Sequence, residues 1–156
     1  MTVKGVCGIK FGTSYNAAKL HLENKFGLCS KARKNQNLLF KYKKFAGINF
    51  DYIMFTFQSD GTNTYLNGCV FAVSVNSVKQ AEEIRDMLYE KLKEKYTMRQ
   101  LNDRAGYKMY IGGYSPTGNG AGFQIDIVDF TKVKSTIGAH YMARLLYGPF
   151  NYVNEE

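Results

Sequence analysis

YLNGCVFAVSV, residues 65–75, runs straight into NSVKQAEEIRDMLYEKLKEKY, residues 76–96, and the change of period between them decides the class of fold. In the first stretch Tyr65, Cys69, Phe71, Val73 and Val75 occupy odd positions and form one apolar face, the two-residue period of a strand. In the second, Ala81, Ile84, Leu88 and Leu92 recur at helical spacing, which predicts a helix from Ser77 to about Tyr96. Ser77 and Gln80 make a capping box, each side chain serving the other's backbone donor. Glu82, Glu83 and Asp86 come early and Lys91, Lys93 and Lys95 late, as the helix dipole favours.

Working back from this pair, three further strands and one helix are predicted. Val3 to Phe11 reads as a strand with Val3, Gly5, Cys7, Ile9 and Phe11 on one face. Gly12 ends it, Thr13 or Ser14 caps a helix, and Tyr15, Ala18, Leu22 and Phe26 form that helix's apolar stripe up to Gly27. Leu28 to Asn37 is a polar, basic connection, with a short strand within it as the alternative. Leu38 to Phe45 alternates, with Phe40 and Tyr42 expected on the core side and Lys41 and Lys43 opposite. Phe50 to Gln58 carries Ile53, Phe55 and Phe57 on one face, and Asp60-Gly61 turns the chain into residues 65–75.

Working forward, Tyr107 to Tyr114, Phe123 to Phe130 and Ile137 to Tyr147 read as strands, with a short one at 98–102 and a stop at Gly148-Pro149. The expected architecture is a single α+β domain over 1–156. It is an antiparallel sheet of about seven to eight strands with two helices packed on one face. Each helix follows a strand and precedes a run of strands, which suggests a diverged β-α-β-β-β duplication; the plain alternative is that strand–helix units look alike.

Composition fits this reading. The 156 residues include 12 Tyr and 11 Phe but no Trp, and aromatic rings favour strands. The net charge of +8 is uneven: residues 1–76 hold ten Lys or Arg against three acids, and six of those ten lie between Lys31 and Lys44. Such a segment suits either an anionic partner or a solvated strand face kept apart from other edges by lysines. No apolar run is long enough to span a membrane as a helix.

Motifs for chemistry are scarce. The glycine-rich stretch from Gly112 to Gly122 precedes a strand rather than a helix and lacks the Lys-Ser/Thr of a phosphate-binding loop. It reads as a hairpin connection, with a lid over a ligand as the alternative. His21 and His140 have no Cys or acid at ligand spacing, so neither a metal nor a cofactor is expected. Cys7, Cys29 and Cys69 allow at most one internal pair, and Cys7 and Cys69 read as small hydrophobes. Asp126 and Asp129 have opposite strand parity and form no same-face acid–base pair.

Gly8-Ile9-Lys10-Phe11-Gly12-Thr13-Ser14, followed by Ala18, Leu22 and Phe26-Gly27, resembles the repeat unit of beta-lactamase-inhibitor-protein-like and small outer-membrane-lipoprotein domains. Those are exported, non-enzymatic bacterial α+β modules that bind other proteins across a sheet face. The likeness covers about twenty residues and carries over no binding residue. It implies an exported protein whose leader is absent from this chain; a cytoplasmic protein with reduced thiols is the alternative.

The expected function is therefore a non-enzymatic binding or accessory domain for a protein or peptide partner. Its expected contact surface is an exposed sheet face that includes Lys41, Lys43, Lys44, Tyr110, Tyr114 and Arg144. The rivals are a weak nucleic-acid or anion binder using residues 31–44, and a small enzyme with a glycine-rich lid at 112–122.

Overall fold

The computed structural model describes residues 1–30, 36–118, 120–131 and 139–153. In chain order these form β1 (Gly5–Val6), β2 (Ile9–Lys10), α1 (Tyr15–Phe26), β3 (Leu38–Phe45), β4 (Ile48–Ser59), β5 (Thr64–Val75), α2 (Val78–Leu92), β6 (Met98–Asn102), β7 (Lys108–Tyr114), β8 (Ala121–Asp129) and β9 (Tyr141–Tyr147). Seven strands make one antiparallel sheet in the order β3-β4-β5-β9-β8-β7-β6, and β1 and β2 form a separate two-stranded sheet. The class is α+β, as the change of period at residues 65–96 predicts.

The topology repeats a theme. After α1 the chain enters at one edge, β3, and meanders inward to β5. After α2 it enters at the other edge, β6, and meanders inward to β9, which pairs with β5. Helix followed by an edge-to-centre meander thus occurs twice, with three strands in the first unit and four in the second.

The leading strand departs from expectation. Cys7 (φ 54°) and Gly8 (φ 77°) turn the chain, so Val3 to Phe11 is a tight hairpin rather than one strand, and it lies outside the main sheet. Glycine tolerates a positive φ and two such residues make the turn that suits strand twist. Strict alternation fails with it: Val6 and Ile9 flank the turn, and both are buried.

The core lies between one sheet face and a layer made of α1, α2 and this hairpin. It gathers Phe40, Phe55, Phe71, Phe123, Ile125 and Tyr147 from the sheet with Leu22, Phe26 and Leu88 from the helices. The α1 stripe is the one its spacing predicts: Tyr15, Ala18, Leu22 and Phe26 are buried, and Gly27 ends the helix at φ 85°. Ser14 stands at the N-cap, but its side chain makes no capping bond. In α2 the Ser77 hydroxyl accepts from the Gln80 N–H at 3.2 Å, and Gln80 Oε1 accepts from the N–H of Asn76 at 3.3 Å, one residue earlier than a standard capping box. The helix ends at Leu92, short of Tyr96, whose ring packs edge-on against Phe123.

Two irregularities in the first meander redirect side chains. The register shifts between Thr56 and Phe57, so Leu66 instead of Tyr65 enters the core. Farther along, Tyr42 takes φ 56° and is 80 % exposed, although alternation places it inside with Phe40. Beyond it the inward parity changes in both strands of the hairpin, where Phe45 stacks on Phe71 and Phe50 packs edge-on to the same ring. Asp51, across from this break, accepts a hydrogen bond from the Ser74 N–H where the β4–β5 ladder has ended. The expected start of the last strand, Ile137, lies outside the described residues.

Candidate functional site

A strand buried on both sides has two faces to satisfy, and β5 is buried at nearly every position from Leu66 to Val73. Cys69, Phe71 and Val73 point into the helix-covered core, whereas Val70 and Ala72 point the other way. There they meet Met142, with Tyr52, Met54, Val128, Phe130 and Leu146 packed around them. No described helix or hairpin residue joins this second cluster; those that join a cluster belong to the other one.

Registered pairing makes the free face continuous. Leu39, Met54, Val70, Leu146, Gln124, Ile111 and Arg99 stand side by side in one row across all seven strands. The adjacent row holds Lys41, Tyr52, Ala72, Arg144 and Asp126. Ser74, Met142 and Val128 form a third. A sheet face of this length, apolar at most positions, is unusual for a surface that meets only water.

At its centre sits an ion pair. Arg144 Nε donates to Asp126 Oδ1 at 2.9 Å and Arg144 Nη2 to Asp126 Oδ2 at 2.7 Å, a bidentate fork. Gln124 Nε2 adds a third donor at 2.7 Å. Asp126 is 5 % exposed, and its bonds to Arg144 hold the guanidinium pKa above its usual range. Tyr52, whose hydroxyl lies 3.6 Å from Met142 Sδ, has its pKa raised chiefly by burial. At the β3 end a shallow depression of about 550 Å³ is lined by Leu39, Lys41, Tyr42, Asp51, Tyr52, Ser74, Asn76 and Ala139.

The residues expected to share one surface are divided by the structure. Lys41 and Arg144 lie in the same row of the free face. Lys43 is half-buried and pairs with Phe50, past the break at Tyr42, and Lys44 is exposed opposite Asn49. Tyr110 is not on a surface: its ring lies 4.3 Å from that of Tyr89 of α2 and it is 7 % exposed. Tyr114 keeps the β7–β8 register opposite Ala121, but, with Gly113 at φ 64° before it, is 67 % exposed beside the β7–β8 turn. Lys31, Arg33 and Lys34 lie outside the described residues, so the 31–44 segment is placed only from Gln36 onward.

The glycine-rich stretch is the β7–β8 hairpin connection. Ser115 N–H bonds to the Gly120 carbonyl, and the Ser115 and Thr117 hydroxyls lie 2.8 Å apart. Beside it a second depression, about 710 Å³, is lined by residues that include Thr97, Met98, Arg99, Ile111, Gly112 and Tyr114.

Cys7 and Cys69 lie near enough to influence each other in the core, but both are neutral thiols. Burial drives the Cys7 thiol up to about 12 and raises Cys69 as well, which keeps both neutral. His21 Nε2 lies 3.1 Å from the Cys7 carbonyl oxygen, and His140 is exposed ahead of β9 rather than within it. Among the described residues no three His, Cys, Asp or Glu side chains converge as metal ligands, and no helix is long and apolar enough to cross a membrane.

Two residues carry roles that hydropathy could not reveal. Arg85, 4 % exposed, sits on the buried stripe of α2, donates to the Lys108 carbonyl at 3.2 Å and pairs with Asp86 at 3.0 Å, tying α2 to β7. Asp126 requires its partner eighteen residues away, and only the β8–β9 register shows the pair. The signal present in sequence was the polar alternation of Gln124 and Asp126 against an apolar strand. No protein-family model matches this chain, and neither a curated protein nor a solved structure matches it.

Proposed function

We propose that this chain is a non-enzymatic binding domain that engages a protein partner through the free face of its sheet. One observation carries the proposal: the row from Leu39 to Arg99 spans seven strands, is mainly apolar, and no described helix or hairpin residue joins its apolar cluster. The Arg144–Asp126 fork supplies orientation within an otherwise greasy surface, because a partner that buries it must leave the pair intact or match it. The likeness of residues 8–27 to exported partner-binding modules supports the same reading, and an exported bacterial setting belongs to the proposal.

The test is site-specific photo-crosslinking in the producing cells. A photoreactive side chain at Met54 or Leu146, both half-buried on the free face, is expected to capture the same discrete protein. The control position is Leu20, which is 66 % exposed on α1. Equal capture from Leu20, or none from the two sheet positions, refutes the proposal.

A further inference from the structure

The two edges of the sheet are built differently, and the difference identifies a second contact. Edge strands invite pairing with other chains, and proteins ordinarily blunt them with lysines, bulges or covering segments. β3 carries lysines and a covering segment, namely Lys41, Lys43 and Lys44 and the Ser30 N–H bonded to the Leu39 carbonyl, and the left-handed Tyr42 interrupts its ladder. β6, five residues long, carries only a single charge, Arg99, among the described residues. Met98 to Asn102 contains no proline, lysine or positive φ, and Arg99, Gln100, Leu101 and Asn102 are exposed. Its one recorded ladder is with β7.

The charge around this edge selects the occupant. Arg99 is exposed, has no ion-pair partner among the described residues, and lines the 710 Å³ depression, whose other lining residues carry no acidic side chain. A strand added to β6 continues the free-face row one position beyond Arg99, where an opposite charge is the favourable cross-strand neighbour. A second copy of this chain fits poorly. Pairing about Gln100 sets Arg99 across from Leu101; pairing about Leu101 offers it only Asp103, which lies past the end of β6 and whose Oδ1 already accepts from the Ala105 and Tyr107 N–H groups, and two bodies of net charge +8 repel. We infer that β6 accepts an extended acidic peptide segment by strand addition, with a peptide carboxylate opposite Arg99. This rests on the binding-domain reading but not on the free face being the contact.

The experiment pans a displayed library of random decapeptides against the full chain at low salt, followed by affinity measurement and amide exchange on the enriched peptides. Enriched sequences are expected to carry Asp or Glu at alternate positions among β-formers, and their binding should slow amide exchange within residues 98–102. Arg99→Gln should weaken them up to about fivefold, the range of a cross-strand ion pair. Arg99→Glu should weaken them further and be rescued by the peptide whose acid is replaced by lysine. Arg99 is exposed at an edge, so an unchanged circular dichroism spectrum and melt are expected for both variants. No enrichment, enrichment of neutral or basic sequences, or binding without protection of 98–102 overturns the inference. So does a β6-dependent dimer of the chain alone in sedimentation. Met54→Lys separates the two proposals: peptide binding should survive it even where capture through the free face is lost.

Discussion

On the helix-covered face of the sheet, Phe71, Phe123, Ile125 and Tyr147 interlock with α1, α2 and the amino-terminal hairpin. On the other face, Val70, Ala72 and Met142 are shielded by neighbours within the sheet itself, and Tyr52, Met54 and Leu146 remain half-exposed. Both faces are apolar, yet they treat ionisable groups in opposite ways. The covered face holds thiols whose burial keeps them protonated, whereas the free face holds a charged fork at its centre. The one buried charge on the covered side, Arg85, sits in the helix layer and ties α2 to β7, whereas the free face carries its charge within the sheet as a fixed polar landmark.

The comparison predicts that truncation costs most on the covered face. Phe71 is 1 % exposed and touches Phe45, Phe50 and Tyr147. Phe71→Ala should destabilise by about 3–5 kcal/mol in urea unfolding. A loss below about 1 kcal/mol would mean that the core does not run through β5 as described.

The Asp126–Arg144 pair gives the next largest effect and tests whether the free face is structural or functional. Asp126→Ala removes two oxygens that accept three hydrogen bonds and strands a guanidinium that is 28 % exposed, which should cost about 2–3 kcal/mol. The double change Asp126→Leu with Arg144→Met should recover most of that stability, because well-packed apolar residues replace a buried pair at little cost. Partner capture should stay lost in the double variant. Recovery of both would reduce the fork to packing.

Legibility follows from how local each determinant is. The α1 stripe and the Ser77 cap depend on residues within one or two turns, and both stand where spacing puts them. The hairpin at Cys7-Gly8 was misread because an apolar residue at a positive φ carries no signature of a turn. Tyr42 escapes alternation for a similar reason: alternation describes a strand until one residue leaves the extended region, and Asp51, opposite this break, instead accepts from the Ser74 N–H on a third strand. Of the candidate surface, Lys41 and Arg144 were found together, whereas Tyr110 was lost to α2, since no local pattern shows which sheet face a helix will cover. The apolar row of the free face was invisible because it is read across strands, and its members alternate with core residues along each one.

The buried thiols sharpen the contrast at smaller cost. Cys7 has an ordinary thiol value of 9.0 that burial raises to about 12. A raised folded value means that the unfolded chain ionises first, so the contribution is complete below pH 9 and is lost as pH climbs toward 12. The expected loss is about 1.4 kcal/mol for each pH unit in that window. Urea midpoints at pH 8 and pH 10 check it: Cys7→Ala should flatten the slope relative to the parent chain. An unchanged slope would show that the thiol is not shielded.

The smallest expected stability change is the most informative about function. Met54 lies in the middle of the β4 contribution to the free face, half-buried against Val70 and flanked by open surface. Its side chain can be replaced by lysine, whose stem covers the same apolar ground while the ammonium reaches water. Met54→Lys should therefore change stability by less than about 0.5 kcal/mol. The same substitution places a charge in the row from Leu39 to Arg99, and a partner seated there must desolvate it or withdraw. The prediction is a near-silent melt together with loss of photo-crosslinking from Leu146. A destabilisation comparable to that of Phe71→Ala would instead make the free face a second core whose cover comes from this chain, and would move the search for a partner to the β6 edge.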